Sequence, residues 1–169
     1  MSKIIYVSGG QKSGKTTQAE RIALSLSERP IYLATSRIWD EEHRKRIQHH
    51  QANRGDEWIT IEEEKYLSKH DFKDKVVLID CITLWMTNFF FDNKQDIEKS
   101  LLEAKKEISE LFKQEATFII VSNEIGMGGS PSDSMAFKFT DMLGLMNQFI
   151  AKQSDEAYLT VSGIPVKIK

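Results

Sequence analysis

Apolar positions in this chain follow two patterns that take turns. Short, nearly unbroken runs occur at Ile4-Ile5-Tyr6-Val7, Pro30-Ile31-Tyr32-Leu33-Ala34, Val76-Val77-Leu78-Ile79 and Phe118-Ile119-Ile120-Val121. Their length and continuity predict strands buried on both faces. Between them apolar residues recur at helical spacing. Thr17 to Leu24 reads as one helix, and Ile97, Leu101, Ala104, Ile108, Leu111 and Phe112 mark another over Asp96 to Gln114. Met135, Phe139, Met142, Leu143, Met146 and Ile150 mark a third over Ser134 to Gln153. A methionine-rich stripe of this kind points to core or subunit contact rather than a cofactor box. Thr83 to Phe91 is apolar and aromatic, a helix or turn, whereas Asp40 to Asn53 is polar and charged, an exposed helix with Asp40 near its cap. Trp58 to Ile61 predicts a short strand. Gly126 to Asp133 predicts a glycine-rich loop. Ala157 to Val161, a turn at Ser162-Gly163, and Ile164 to Ile168 predict a closing hairpin. Strands alternating with helices predict an α/β architecture with parallel pairing.

The first strand leads into Gly9-Gly10-Gln11-Lys12-Ser13-Gly14-Lys15-Thr16, and a helix follows. This is G-x-x-x-x-G-K-[ST] in its strand–loop–helix setting. Glycines let the backbone curl so that successive N–H groups face phosphate oxygens. Lys15 brings a mobile cation to the β- and γ-phosphates, and the Thr16 hydroxyl can ligate Mg²⁺. The helix start adds its positive dipole end. The motif therefore predicts a nucleoside triphosphate site. With the alternating elements it predicts a P-loop NTPase (RecA-like) three-layer fold with a mostly parallel central sheet and a C-terminal hairpin.

Size and charge narrow the field. The chain's 169 residues suit a single P-loop domain over 1–169. A formal charge of −2 offers no global attraction to nucleic acid. Cys81 is the lone cysteine, so no internal disulfide can form, and a reducing cytoplasm is expected. No apolar run approaches a membrane span, and the N-terminus lacks a leader pattern.

Three further places carry candidate chemistry. Asp80 ends an apolar strand, where an acid beside a phosphate loop holds Mg²⁺ directly or through water; a turn or cap aspartate is the competing reading. In the basic segment Arg44 to Arg54, helical spacing would put Arg46, His50 and Arg54 on one face. An imidazole held among phosphate-binding guanidiniums is suited to attack phosphorus. His49 lies about 100° around that helix. A solvated basic face with two uninvolved histidines is the plainer reading. His43 and His70 belong to no constellation and read as surface residues. Ser122-Asn123-Glu124 follows a strand, and its polar groups could contact substrate or merely close a loop. Asn88, if buried in its apolar segment, must find a polar partner.

Taken together these segments resemble a known family, the bifunctional adenosylcobinamide kinase/adenosylcobinamide-phosphate guanylyltransferases of cobalamin biosynthesis. The resemblance runs end to end. It rests on Ser8-Gly9-Gly10 through Ser13-Gly14-Lys15-Thr16, Tyr32-Leu33-Ala34-Thr35-Ser36, and Arg46-Ile47-Gln48-His49-His50. It continues through Asp80-Cys81-Ile82-Thr83, Thr87-Asn88, Ser122-Asn123-Glu124-Ile125-Gly126-Met127-Gly128, Asn147-Gln148 and Val161-Ser162-Gly163-Ile164. The resemblance implies two reactions. ATP or GTP phosphorylates the aminopropanol hydroxyl of adenosylcobinamide. GTP then guanylylates a histidine, and the GMP passes to adenosylcobinamide phosphate, giving adenosylcobinamide-GDP. By the resemblance the nucleophile is His50, which overrides the plainer reading of the basic face. Nucleotide contacts would fall on Gly9, Gly10, Gln11, Lys12, Ser13, Gly14, Lys15 and Thr16, on Ala34, Thr35 and Ser36, on Gln51, Ala52, Asn53 and Arg54, and on Glu62 and Asp80. Residues 38–55 would form a mobile helix that brings His50 to the α-phosphate. The resemblance also implies a homotrimer.

Two departures from the family pattern stand out. Gly129-Ser130-Pro131 replaces an Ile-Val-Pro, and Phe137-Lys138-Phe139-Thr140-Asp141 replaces an Arg-x-Phe-Arg-Asp. Lys138 can restore part of that charge but not a guanidinium's bidentate geometry. A small-molecule kinase without the covalent step, and a nucleotide-binding switch or nucleic-acid module, are the alternatives. The second runs against the acidic charge and the absence of an aromatic-basic surface.

Overall fold

The computed structural model describes residues Met1–Lys169. In chain order the elements are β1 (Lys3–Gly9), α1 (Lys15–Leu26), β2 (Ile31–Ala34), α2 (Glu41–Ala52), β3 (Ile59–Glu62), β4 (Val76–Asp80), α3 (Ile82–Asp92), α4 (Ile97–Leu111), β5 (Thr117–Asn123), α5 (Ser134–Gln153), β6 (Glu156–Val161) and β7 (Ile164–Lys167). One seven-stranded sheet runs β3-β2-β4-β5-β1-β6-β7. Every pair is parallel except β6–β7, the closing hairpin. The α/β class, the parallel sheet and the hairpin are those expected from the pattern.

The unbroken apolar runs are the strands that need two covered faces. Val7, Val77, Leu78, Ile79, Phe118, Ile119, Ile120 and Val121 are all fully buried. On one face Ile4, Val77, Ile79, Phe118 and Ile120 pack against α3, α4 and α5. On the other Ile5, Val7, Leu78, Ile119 and Val121 pack against Ala19 and Ala23 of α1, with Tyr32, Trp58 and Cys81 beside them. Three layers result. Of the methionine stripe, Met142 and Met146 are core, while Met135 is exposed.

Asp40, Asp96 and Asp133 each cap a helix, accepting from the N–H of His43, Lys99 and Ala136 respectively. The cap on α2 is as expected, but that helix ends at Ala52, so Arg54 lies beyond it in a turn closed by its N–H to the Gln51 carbonyl at 3.2 Å. The strand expected from Trp58 starts one residue later. Trp58 instead turns its ring edge-on to Tyr32, with centroids 5.8 Å apart. Between β3 and β4, Leu67 and Phe72 are fully buried around a single 3-10 turn at Leu67–Lys69. No periodicity marks that segment, because short irregular chain buries single residues rather than a face.

Sheet order sets the site. β5 lies between β1 and β4, and the register pairs Gly9 with Asn123 and Val121 with Asp80. The phosphate loop and Asp80 thus end strands two places apart, about 10 Å, at the carboxyl edge of the sheet. Asn123 stands between them.

Candidate active site

The phosphate loop is shaped by what surrounds it. Gly14 caps α1 in the left-handed region, φ 89°, and offers no side-chain cap. The N–H groups of the first turn of α1 therefore remain available to an anion. A Cβ on Gly14 would lie 3.1 Å from the Gly163 Cα, and one on Gly9 would lie 2.8 Å from the Thr160 carbonyl oxygen. Both neighbours are backbone of the closing hairpin, so main chain would have to shift to make room. Gly163 also donates its N–H to the Ser13 carbonyl at 2.7 Å. The loop thus rests on the hairpin turn at Ser162-Gly163. Lys15 Nζ donates to the Gly10 carbonyl at 3.2 Å, folded over the loop it serves.

Two adjoining cavities open here. One, of about 520 Å³, is walled by residues 11–17, His50, Asn123 and Ile125. The other, of about 310 Å³, is walled by Lys15, Thr16, Tyr32, Ala34, Ser36, His43, Arg46, Ile47, His50, Gln51, Arg54, Asp80, Cys81, Leu84 and Asn123. Lys15, Thr16, His50 and Asn123 border both. His50 therefore faces the phosphate loop from one side and Asp80 and Arg54 from the other.

Two carboxyls, Asp80 and Glu20, stand close to the cations Lys15 and Arg54. Burial pushes the Asp80 carboxyl upward, opposed by the Tyr32 hydroxyl that donates to its Oδ2 and by the charges of His50, Lys15 and Arg54. Burial, then Asp80, raises the Tyr32 phenol. Glu20 of α1 is raised by burial and by Asp80, and lowered by Arg54. Burial pushes the Cys81 thiol up to about 12, so it stays protonated and unreactive at neutral pH. The Arg54 guanidinium lies 3.6 Å over the Tyr32 ring.

α2 reaches this site without a single buried residue. Its ties are few. His43 Nε2 is 2.9 Å from the Ser36 hydroxyl, and Gln51 Nε2 donates to Glu62 Oε1 at 3.0 Å. At its entry, Arg37 clamps Asp92 through two N–H groups at 2.9 and 3.2 Å and Glu64 through Nε at 2.7 Å. Trp39 packs on Phe91, ring centroids 5.5 Å apart.

Of the residues singled out from the sequence, Gln11 to Thr16, Ala34, Ser36, His50, Gln51, Arg54 and Asp80 wall one cavity or both. Gly9, Gly10, Thr35, Ala52, Asn53 and Glu62 wall neither. Thr35 is fully buried and donates to the Cys81 carbonyl at 2.8 Å, so its side chain joins β2 to β4. Asn53 lies 3.1 Å from His49 Nε2, away from the cavity. Glu62 enters through Gln51. His43, expected at the surface without company, instead borders the cavity. Its i, i+7 spacing to His50 was the available signal, hidden in a run of charge. Tyr32 also borders the cavity, although in the sequence it is one apolar position of the β2 run. Glu124 turns its carboxylate back on the N–H groups of Gly126 and Met127 at 2.8 and 3.1 Å, so it closes a loop. The Asn88 Nδ2 finds partners, donating to the carbonyls of Thr35 and Glu64 at 2.8 and 2.9 Å, while its Oδ1 is buried without one.

The family described as cobinamide kinase / cobinamide phosphate guanyltransferase matches residues 5–168. The chain belongs to this family. The bifunctional adenosylcobalamin biosynthesis protein CobU of Escherichia coli is 36% identical over 98% of this chain and 99% of its own length. Its namesake in Salmonella typhimurium is 34% identical over the same shares. The bifunctional adenosylcobalamin biosynthesis protein CobP of Pseudomonas aeruginosa is 33% identical, covering 95% and 94%. Among solved structures, the flagellar accessory protein FlaH from Methanocaldococcus jannaschii overlays with a TM-score of 0.45 at 12% identity, covering 99% of this chain and 78% of that one. A likeness so distant bears on neither site nor activity.

Within the family frame, the two sequence departures cluster. Gly129, Ser130, Pro131, Phe137, Thr140 and Asp141 line a separate cavity of about 420 Å³ between the glycine-rich loop and α5. It adjoins the phosphate-loop cavity along the chain, where Ile125 borders one and Gly126 the other. No helix is long and apolar enough to cross a membrane.

Proposed function

We propose that this protein phosphorylates the aminopropanol hydroxyl of adenosylcobinamide, using ATP or GTP, and then moves GMP from GTP through His50 to adenosylcobinamide phosphate. The observation that carries this reading is the position of His50, which borders both the phosphate-loop cavity and the cavity holding Asp80 and Arg54. In the kinase step the loop N–H groups and Lys15 hold the β- and γ-phosphates while the acceptor hydroxyl attacks the γ-phosphorus; the bond from that phosphorus to the β,γ-bridging oxygen breaks, the nucleoside diphosphate leaves and the hydroxyl proton passes to solvent. In the guanylyl step an imidazole nitrogen of His50 attacks the α-phosphorus, an N–P bond forms, the bond to the β-phosphate oxygen breaks, and pyrophosphate leaves. A phosphate oxygen of the acceptor then attacks the same phosphorus, and the N–P bond breaks. Arg54 and Lys15 offset charge on the phosphoryl oxygens.

Thr16 and Asp80 both border the cavity, and a hydroxyl with a carboxylate is an oxygen donor pair that fits Mg²⁺. No group of three or more His, Cys, Asp or Glu side chains is placed to hold a metal. That donor set suits an ion that arrives with the triphosphate and keeps most of its other ligands as phosphate oxygens and water. When bound, Mg²⁺ neutralises phosphate charge. We further infer a cytoplasmic protein from the lone cysteine and a homotrimer from the family resemblance, with exposed Met135, Phe137 and Leu145 on α5 as candidate subunit contacts.

The test uses α-labelled GTP. Wild-type protein should carry an acid-labile, alkali-stable label that His50→Ala abolishes and that adenosylcobinamide phosphate discharges. Absence of label would reduce the reading to a small-molecule kinase, and label persisting in His50→Ala would move the nucleophile elsewhere.

A further inference from the structure

Tyr32 combines three contacts that packing alone does not require. It lies on β2 opposite Leu78, and its neighbour on the same face, Ala34, lies opposite Asp80. Its phenol thus reaches diagonally across the pair to donate to Asp80 Oδ2. Its ring face carries the Arg54 guanidinium at 3.6 Å, and its edge meets Trp58. Tyr32 is 5% exposed. A phenylalanine would fill the same space without a hydroxyl that needs a partner at that depth. The hydroxyl is therefore surplus to packing and directed at one oxygen of Asp80. Arg54 is its counterpart on the helix side. Its Nε is buried without a partner, so the ring face, and not a carboxylate, is what holds it.

We propose that Tyr32 is a positioning residue that joins the two halves of the site. Its hydroxyl fixes the rotamer of Asp80, and its ring docks Arg54 and with it the C-terminal end of α2, one turn from His50. This rests on the reading above for what the two halves do, but the tether itself is a property of the free protein. The hydroxyl serves Asp80, which both reactions use. The ring serves α2, which carries the histidine for one reaction only. Hydroxyl and ring should therefore separate the two activities.

The experiment compares Tyr32→Phe, Tyr32→Leu, Arg54→Lys and the Tyr32→Leu/Arg54→Lys double variant. In nucleotide-free protein, amide hydrogen exchange over residues 49–54 should accelerate in Tyr32→Leu and stay at the wild-type rate in Tyr32→Phe. In Tyr32→Phe, phosphoryl transfer and guanylyl-adduct formation should fall together by roughly 10–100-fold, the loss of one hydrogen bond to a charged group. In Tyr32→Leu, adduct formation should fall a further roughly 2–30-fold relative to phosphoryl transfer, the loss of the stacked guanidinium. Exchange over residues 49–54 in the double variant should be no faster than in its faster parent, since both changes break the same stacked contact. Tyr32→Phe keeps the packing and Arg54→Lys is at the edge of the fold, so the proposal can be tested even if Tyr32→Leu does not fold. Unchanged exchange in Tyr32→Leu, full activity in Tyr32→Phe, or additive acceleration of exchange in the double variant would each overturn it. If wild-type protein forms no adduct while the exchange pattern holds, the tether stands and the guanylyl reading fails.

Discussion

The phosphate loop and the His50 helix meet at one cavity, yet they are held by opposite means. The loop follows a strand buried from Ile4 onward and leans on backbone of the closing hairpin, at Thr160 and Gly163, where a single added methyl has no room. α2 buries nothing. It is attached by side chains alone: the Arg37 clamp at its entry, Ser36 on His43, Gln51 on Glu62, and Arg54 on Tyr32. Backbone packing gives a cradle that keeps one shape for any triphosphate. Side-chain ties give a helix that can be released at small cost, which suits the role proposed for His50, approaching the α-phosphate for one reaction and clearing it for the other.

Four changes probe that contrast. The largest effect belongs to Lys15→Ala, which should lower phosphoryl transfer about 10²–10³-fold by removing a preplaced cation, with Tm unchanged in a thermal melt. Gly14→Ala should cost about 1–3 kcal/mol of stability for a side chain in the left-handed region. It should also weaken triphosphate binding at least about tenfold, because the N–H cradle shifts with it; urea unfolding and titration calorimetry read the two separately.

Next comes Glu63, which braces the turn after β3. Burial works to raise its carboxyl, but the Lys69 ammonium and the N–H groups of Lys65 and Tyr66 outweigh it and hold it at about 2. A depressed carboxylate stabilises the fold above its ordinary range, near pH ~4.3, and that stability is lost as pH falls towards 2. Glu63→Gln should therefore lower stability at pH 7 and flatten its decline in acid, as followed by circular dichroism. A wild-type acid profile unchanged in the variant would refute the assignment.

Smallest in stability is Arg37→Ala. Its partners Asp92 and Glu64 are 35% and 51% exposed, so the loss should stay within about 1 kcal/mol. Hydrogen exchange at the start of α2 should nevertheless accelerate, while exchange in α1 holds.

The same contrast explains what could be read in advance. The phosphate loop is local: its glycines, lysine and threonine stand within eight positions and each is demanded by backbone geometry. The four buried strands announced themselves because a strand covered on both faces admits no polar break, and α5 because its stripe repeats at helical spacing. The cluster of Tyr32, Arg54 and Asp80 has no such signature. Three elements supply it, and only the pairing of Ala34 with Asp80 across β2 and β4 brings it together. His43 was obscured by composition, since a cavity-facing imidazole in a charged helix looks like any other solvated residue. Leu67 and Phe72 were missed because one buried residue in an irregular turn has no period to detect.

One feature of the sheet reaches into how the protein is made. β1 leaves the ribosome first, yet its neighbours are β5 and β6, with Ile4 paired to Phe118 and Ile5 to Glu156. The phosphate motif, complete in sequence almost at once, waits on some of the most distant pairings in the chain. High contact order of this kind slows folding. A nascent chain carrying every residue of the motif has as yet no floor beneath it, so nucleotide should bind only after β5 and β6 have joined the sheet.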